Sequence, residues 1–133
     1  MPPPPKSTPV SMIARPTSHA VVVLDAQSFE DRVQHGVVLV DFSEPWCGPC
    51  HMQMPILERV AERVGDRAAV ALLNVDEAPA LARHFNIEAI PTLCLFKDGR
   101  LMRTFVGVHS EAELTRAIFA TADDRVPDPA PSS

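Results

Sequence analysis

VVLVDFSEPWCGPC, residues 37–50, is the stretch that decides how this chain folds. Its apolar first half predicts a buried strand, and the pattern after the proline-containing turn predicts a helix that starts at the cysteines. The free N–H groups and the positive dipole end of a helix stabilise an anion. We therefore predict that Cys47 is a nucleophilic thiolate. Cys50, one turn further along the same helix face, is the predicted resolving thiol.

The Cys-x-x-Cys pair has two other interpretations. It can be half of a zinc site, but zinc takes about four N or S ligands. The third cysteine, Cys94, lies far along the chain, and His51 follows Cys50 too closely to point at the same metal. It can also be an inert structural disulfide, but small rings of this kind at a helix start are typically labile. A redox pair is therefore favoured.

Length and composition restrict the possible functions. A chain of 133 residues suffices for one domain with its own core. The net charge of −5 and the lack of a Lys/Arg cluster argue against nucleic-acid and membrane partners. Three cysteines do not make a secreted disulfide framework.

No apolar stretch of signal-peptide length follows Met1, and the run at residues 20–24 is too short to cross a membrane. We therefore expect a cytoplasmic monomer.

Both ends of the chain are rich in proline. Residues 1–18 and 124–133 lack core-forming patterns, so we predict a disordered leader, a domain at residues 19–123 and a disordered tail. A transit peptide is an alternative for the leader, because no acidic residue precedes Asp25. The prolines, however, oppose the amphipathic helix that such peptides form.

Strands and helices alternate within the domain, which predicts an α/β fold. The apolar run at residues 69–75 is typical of a parallel strand covered on both faces, whereas Asp98-Gly99 predicts a hairpin between antiparallel strands. We expect a central mixed five-stranded sheet with four flanking helices. The predicted strands are residues 20–24, 37–42, 69–75, 92–96 and 101–106, and the predicted helices are residues 28–35, 47–64, 77–85 and a last one that begins after Ser110.

Helix signals and core positions complete this expectation. Ser28 is the predicted N-cap of the first helix, Ser110-Glu111-Ala112-Glu113 is a capping box for the last, and Pro55 predicts a kink in the helix of the cysteines. The predicted core-facing helix positions are Phe29, Val33, Ile56, Leu57, Val60, Ala61, Val64, Leu114, Ala117 and Ile118.

Over residues 20–122 the chain resembles the thioredoxin family. The motifs that carry the resemblance, in order, are Val40-Asp41-Phe42, Trp46-Cys47-Gly48-Pro49-Cys50, Pro55, Ile90-Pro91-Thr92, Phe96-Lys97-Asp98-Gly99 and Val106-Gly107. The resemblance implies the thioredoxin fold, dithiol–disulfide exchange with disulfide-containing proteins, and re-reduction by a thioredoxin reductase that uses NADPH. It implies no bound cofactor beyond the Cys47–Cys50 disulfide itself.

The resemblance also assigns a substrate surface. It implies that Pro91 is a cis-proline that faces the cysteines and offers its neighbouring backbone to an extended substrate segment. An ordinary trans proline is the alternative, since most X-Pro bonds are trans. The implied substrate-binding residues are Trp46, Gly48, Pro49, Ile90, Pro91 and Gly107.

Asp41 is the third predicted catalytic residue. It interrupts the apolar strand, and burial raises the pKa of a carboxyl group because it disfavours the charged form. We expect Asp41 to accept the proton of Cys50, directly or through one water. Three positions depart from the family pattern. Ser43 replaces a residue that is often aromatic, and His51 replaces one that is often lysine. Leu72 replaces a basic residue that is often found near the buried acid, here Asp41.

The remaining cysteine and histidines receive simpler interpretations. Cys94 is predicted to be a small buried hydrophobic residue, with a regulatory thiol as the alternative. The histidines outside the motif, His19, His35, His84 and His109, are predicted to be surface or packing residues.

Two functional alternatives share these motifs. One is an exported or anchored disulfide reductase of the cytochrome-maturation type, which would need an export signal or an anchor. The other is a non-enzymatic binding subunit with the same fold.

Overall fold

The computed structural model describes residues 20–123, so the predicted leader, His19 and the predicted tail lie outside the described residues. Its strands are β1 (Val22–Leu24), β2 (Val37–Ser43), β3 (Ala69–Asn74), β4 (Thr92–Lys97) and β5 (Arg100–Val106). Its helices are α1 (Ala26–Val33), α2 (Gly48–Val64), α3 (Pro79–His84) and α4 (Glu111–Ala122), with short 3₁₀ turns at Gly65–Arg67 and Val75–Glu77.

The strands form one sheet in the order β1-β3-β2-β4-β5. β1 and β2 both run parallel to β3, while β4 is antiparallel to β2 and to β5. This confirms the predicted mixed five-stranded sheet with four helices. All residues of β2 are buried, because it lies at the centre of the sheet with helices on both faces.

The two faces of the sheet carry separate cores. One core joins side chains of α2 and α4 to β2, β3, β4 and β5, and includes Leu39, Leu57, Leu93 and Ile118. The other joins α1 to the opposite face and includes Phe29, Val33, Phe42 and Phe96. The predicted core positions of α1 and α4 are buried, and so are those of α2 except Ile56, which is partly buried against the first core. Packing on both faces therefore holds β2 and the segment after it in a fixed place.

The start of α1 differs from the prediction. Asp25, not Ser28, is the N-cap, and its carboxylate accepts the N–H groups of Gln27 and Ser28 at 3.0 and 2.8 Å. Ser28 is the N3 residue, whose hydroxyl accepts the Asp25 N–H at 3.0 Å. The prediction was wrong because both partners of a reciprocal capping box are good N-cap types, and the strand ends directly before Asp25. At α4, Ser110 is the N-cap as predicted and accepts the Glu113 N–H at 3.1 Å.

Candidate active site

The two cysteines lie where β2 gives way to α2. Cys47 is the N-cap of α2, and its Sγ accepts a hydrogen bond from the Cys50 N–H at 3.1 Å. The two Cα atoms are 5.2 Å apart and the sulfur atoms form a disulfide. Cys47 is partly exposed, whereas Cys50 is only 7% exposed. A disulfide of another protein can therefore approach the sulfur of Cys47 but not that of Cys50.

The local electrostatics favour a negative charge on the outer sulfur. The N–H of Cys50 points at the Sγ of Cys47, and the positive end of the α2 dipole lies at the same place. No acidic residue lies in the first turn of α2 to oppose this field. A sulfur atom at this position therefore has the surroundings that favour an anion.

A second segment, at the start of the neighbouring strand β4, meets the cysteines at the same end of the sheet. The Ile90–Pro91 peptide bond is cis, as the resemblance implies, and the carbonyl oxygen of Ile90 lies 3.8 Å from the Sγ of Cys47. The Gly107 N–H donates to the Pro91 carbonyl at 2.8 Å. The structure thus brings Cys47, Ile90, Pro91 and Gly107 together, although they come from three separate parts of the sequence.

The implied substrate-binding residues differ in exposure. Trp46 is 82% exposed on the loop before Cys47, and Gly48 and Pro49 are exposed at the start of α2. Ile90 and Gly107 are partly exposed. Pro91 itself is buried, so its ring supports the surface more than it forms it.

Asp41 is fully buried in β2, as predicted. Its neighbours in the sheet are Leu72 of β3 and Leu93 of β4, and neither carboxylate oxygen has a hydrogen-bond partner among residues 20–123. Burial raises the pKa of the Asp41 carboxyl from 3.8 to about 7. A carboxyl group with this pKa exchanges its proton readily near neutral pH.

A cavity of about 230 Å³ opens beside the inner cysteine. Cys50, His51 and Met54 of α2 border it on one side, and Leu72 of β3 borders it on the other. Leu72 is also the direct sheet neighbour of Asp41. The cavity therefore gives solvent a route to Cys50 and to the residue that flanks Asp41.

His51 contacts the loop that precedes the cysteines. Its Nε2 lies 2.7 Å from the Pro45 carbonyl oxygen, and since a carbonyl only accepts, Nε2 carries the proton of this bond. This contact, together with the hydrogen bond from the Cys47 N–H to the Glu44 carbonyl at 3.3 Å, holds the loop against α2.

Sequence reasoning missed one polar contact near the site. Gln53 is fully buried and forms hydrogen bonds with both backbone groups of His109, at 2.9 and 2.8 Å. The signal was present in the sequence, because Gln53 is a polar residue one turn after Cys50 on the otherwise apolar inward face of the helix. The side chain of His109 is 20% exposed, which agrees with a packing residue.

The third cysteine takes no part in this arrangement. Cys94 is buried in β4, as predicted, and burial raises the pKa of its thiol to about 11. Within residues 20–123, no group of three or more His, Cys, Asp or Glu side chains is arranged to hold a metal ion. The redox group of the site is the Cys47–Cys50 pair itself.

A Cys-x-x-Cys disulfide at a helix start, with a backbone carbonyl 3.8 Å from its outer sulfur, defines a thiol-disulfide oxidoreductase. Comparison with known proteins identifies the family. The thioredoxin family model matches residues 20–120. The chain therefore belongs to the thioredoxin family.

Individual relatives agree with this assignment. Thioredoxin of Acidithiobacillus ferridurans is 47% identical over 100 residues, which cover 74% of this chain and 93% of that protein. Thioredoxin of Bacillus subtilis is 38% identical over 99 residues, with coverage of 74% and 95%. A mutant thioredoxin from Halobacterium salinarum superposes with a TM-score of 0.73 at 37% identity, covering 81% of this chain and 95% of that one. The chain has the thioredoxin fold and is a protein-disulfide oxidoreductase of the thioredoxin type.

Family membership also bears on cofactors and partners. Thioredoxins carry no bound cofactor, and as a family they act on protein disulfides and are typically recycled by thioredoxin reductase. Across residues 20–123, no helix is both long and apolar enough to span a membrane.

Proposed function

We propose that this protein reduces disulfides in other proteins and is itself re-reduced by a thioredoxin reductase. Cys47 is the attacking residue and Cys50 the resolving one. One observation carries this assignment: Cys47 is a partly exposed helix N-cap, and Cys50, bonded to it, is buried. Only the outer sulfur is accessible to a protein substrate.

The reaction proceeds in two exchanges. The Cys47 thiolate attacks one sulfur of the substrate disulfide, which forms a mixed disulfide and releases the other substrate sulfur as a thiolate. Cys50 then loses its proton and attacks the Sγ of Cys47. This step closes the Cys47–Cys50 disulfide and releases the second substrate sulfur. Two electrons have passed to the substrate, and the reductase returns them from NADPH.

Asp41 is the proposed acceptor of the Cys50 proton. Its pKa of about 7 allows it to be ionised in a useful fraction of molecules at neutral pH and still release the proton afterwards. The cavity that borders both Cys50 and Leu72 supports transfer through a water molecule. Leu72 and Leu93 place no cation beside the carboxylate, so its pKa stays high.

The proposed substrate surface surrounds the outer sulfur. An extended substrate segment would lie along Ile90 and Pro91, where a backbone carbonyl already stands 3.8 Å from Sγ of Cys47. The segment would be covered on one side by Trp46, Gly48 and Pro49. Gly107 would contact it on the other side. The exposure of Trp46 and the contact between Gly107 and Pro91 support this arrangement.

The remaining proposals concern context. We propose that residues 19–123 form the autonomous domain and that the protein works as a cytoplasmic monomer. A chain with only three cysteines, two of them in a labile pair, suits a reducing compartment.

Trapping experiments test the proposed function. Cys50→Ser should accumulate mixed disulfides with insulin and with cellular proteins, because the second exchange cannot occur. Cys47→Ser should accumulate none. The parent should reduce insulin in an assay with NADPH and thioredoxin reductase. Trapping through Cys50 would reverse the roles, and an inactive parent would favour a binding subunit.

A further inference from the structure

A continuous series of hydrogen bonds ties the helix of the cysteines to the loop beside Pro91. The buried amide of Gln53 donates to the His109 carbonyl at 2.9 Å and accepts the His109 N–H at 2.8 Å. The His109 ring Nδ1 lies 2.9 Å from the Gly107 carbonyl oxygen. The Gly107 N–H, in turn, donates to the Pro91 carbonyl at 2.8 Å. We call these contacts the Gln53–His109 clamp.

We propose that Gln53 and His109 are positioning residues that hold Gly107 against Pro91 and so fix the surface on which a substrate segment lies. This inference rests on the proposed function of that surface. Neither side chain touches the sulfur atoms in the contacts described above. Their effect on the reaction passes through Gly107 and Pro91.

The loop has a physical need for such a clamp. Gly107 directly follows β5, an edge strand, and has a φ of +89°, which lies outside the region of regular strands. The sheet ladder therefore does not continue into residues 107–110. The Gln53 amide supplies the donor and the acceptor that a neighbouring strand would otherwise give to His109.

The His109 ring is held in one orientation. Because the Gly107 carbonyl only accepts, Nδ1 carries the proton of their hydrogen bond. The ring meets the Phe105 ring edge-on, with centroids 5.2 Å apart, and its Nε2 lies 3.8 Å from a carboxylate oxygen of Glu113 on α4. The hydrogen bond to Gly107 and the edge-on contact with Phe105 thus keep Nδ1 directed at Gly107.

The clamp also relates two parts of the active site to each other. Gln53 lies one turn after Cys50 on α2, while Gly107 and Pro91 belong to the sheet side of the site. Loss of the clamp should therefore leave the thiols intact and disturb their alignment with a bound protein segment. A small disulfide, which needs no extended surface, should be insensitive to the change.

Two substitutions of His109 isolate the hydrogen bond to Gly107. Both His109→Asn and His109→Leu remove the ring that meets Phe105 edge-on, and both leave in place the backbone groups that bond to Gln53. Asn can still donate an N–H from about the position of Nδ1, whereas Leu cannot. His35→Leu, at an exposed site in the turn before β2, controls for replacing a histidine with leucine.

The assay mixes pre-reduced protein with insulin at increasing concentration, without reductase. For His109→Leu we expect half-saturation at about fivefold higher insulin concentration, which corresponds to one lost hydrogen bond. The limiting rate, and the rate with a small nitrobenzoate disulfide, should stay within about twofold of the parent. His109→Asn should match the parent. Hydrogen exchange at the Gly107 amide should accelerate in the Leu variant alone.

The inference fails if the Leu and Asn variants behave alike, if insulin and the small disulfide are affected equally, or if Gly107 exchange is unchanged in the Leu variant. These results differ from a failure of the proposed function, in which the pre-reduced parent itself would not reduce insulin. Gln53→Met tests the other half of the clamp and should reproduce the Leu result. If that variant does not fold, the His109 pair decides the question alone.

Discussion

Replacing Asp41 with asparagine should remove a large pH dependence from the stability of the domain. In the parent, the Asp41 carboxyl has a pKa of about 7 because it is buried without a hydrogen-bond partner among the described residues. Below pH 3.8, the ordinary value, the group is neutral in both the folded and the unfolded chain. Asparagine keeps the size of the side chain and cannot ionise.

The magnitude follows from proton linkage. Between pH 3.8 and about 7 only the unfolded chain ionises, so the free energy of unfolding falls by about 1.4 kcal/mol per pH unit. Above the folded pKa the loss levels off at about 4 kcal/mol. The Asn variant escapes this loss. Its advantage over the parent should therefore grow by about 2.5 kcal/mol between pH 5 and pH 8.

Urea denaturation of the disulfide form at both pH values, followed by far-UV circular dichroism, measures this change. Comparing the two pH values cancels any pH-independent cost of burying the amide. At pH 8 the Asn variant should be the more stable protein. Asp31→Asn, on the exposed side of α1, controls for the loss of one negative charge. An Asn-minus-parent difference that is the same at pH 5 and pH 8 would show that Asp41 is not a buried acid of raised pKa.

Three further expectations concern the same acid and the bounds of the domain. In Asp41→Asn, rapid mixing should show a rate of first attack by Cys47 within about twofold of the parent rate. The release of reduced substrate should be slowed about tenfold or more. Equal slowing of both steps would exclude Asp41 from the resolving step. Leu72→Lys places a cation next to Asp41 and should lower the Asp41 pKa by about one unit or more, which reduces the pH dependence of stability. Leu72→Met is its matched control. An unchanged pH dependence in the Lys variant would count against Asp41 as the group that causes it. A chain truncated to residues 19–123 should keep the Tm within about 2 °C and retain the reductase-coupled activity; a large loss of either would show that an end packs on the domain.

Local signals in the sequence were sufficient for most of the fold. The apolar run before Cys47 predicted the central strand, Asp98-Gly99 predicted the hairpin, and Asp41 stood out as one acid within that run. Each of these signals is a difference in polarity or backbone preference between neighbouring residues. Packing inside the domain depends on the same differences. The cis bond at Pro91 came from resemblance alone, since no local pattern distinguishes it from a trans bond.

The features that sequence reasoning missed depend on pairings. Ser28 and Asp25 are both suitable N-caps, and only the end of β1 at Leu24 decides between them. Gln53 and His109 are 56 positions apart, and their contact exists only because α2 packs beside the end of β5. A polar residue on the inward face of a helix predicts that its side chain has a hydrogen-bond partner. The topology of the sheet determines which residue that partner is.

The burial of Cys94 makes native thiol labelling a direct measure of redox state. Its thiol is 1% exposed in β4 and has a pKa of about 11, so it should react with alkylating reagents only after unfolding. Alkylation of the native protein should therefore modify only Cys47 and Cys50 in the dithiol form and none in the disulfide form. The mass added before denaturation would then report how much of the protein is reduced, without interference from the third cysteine.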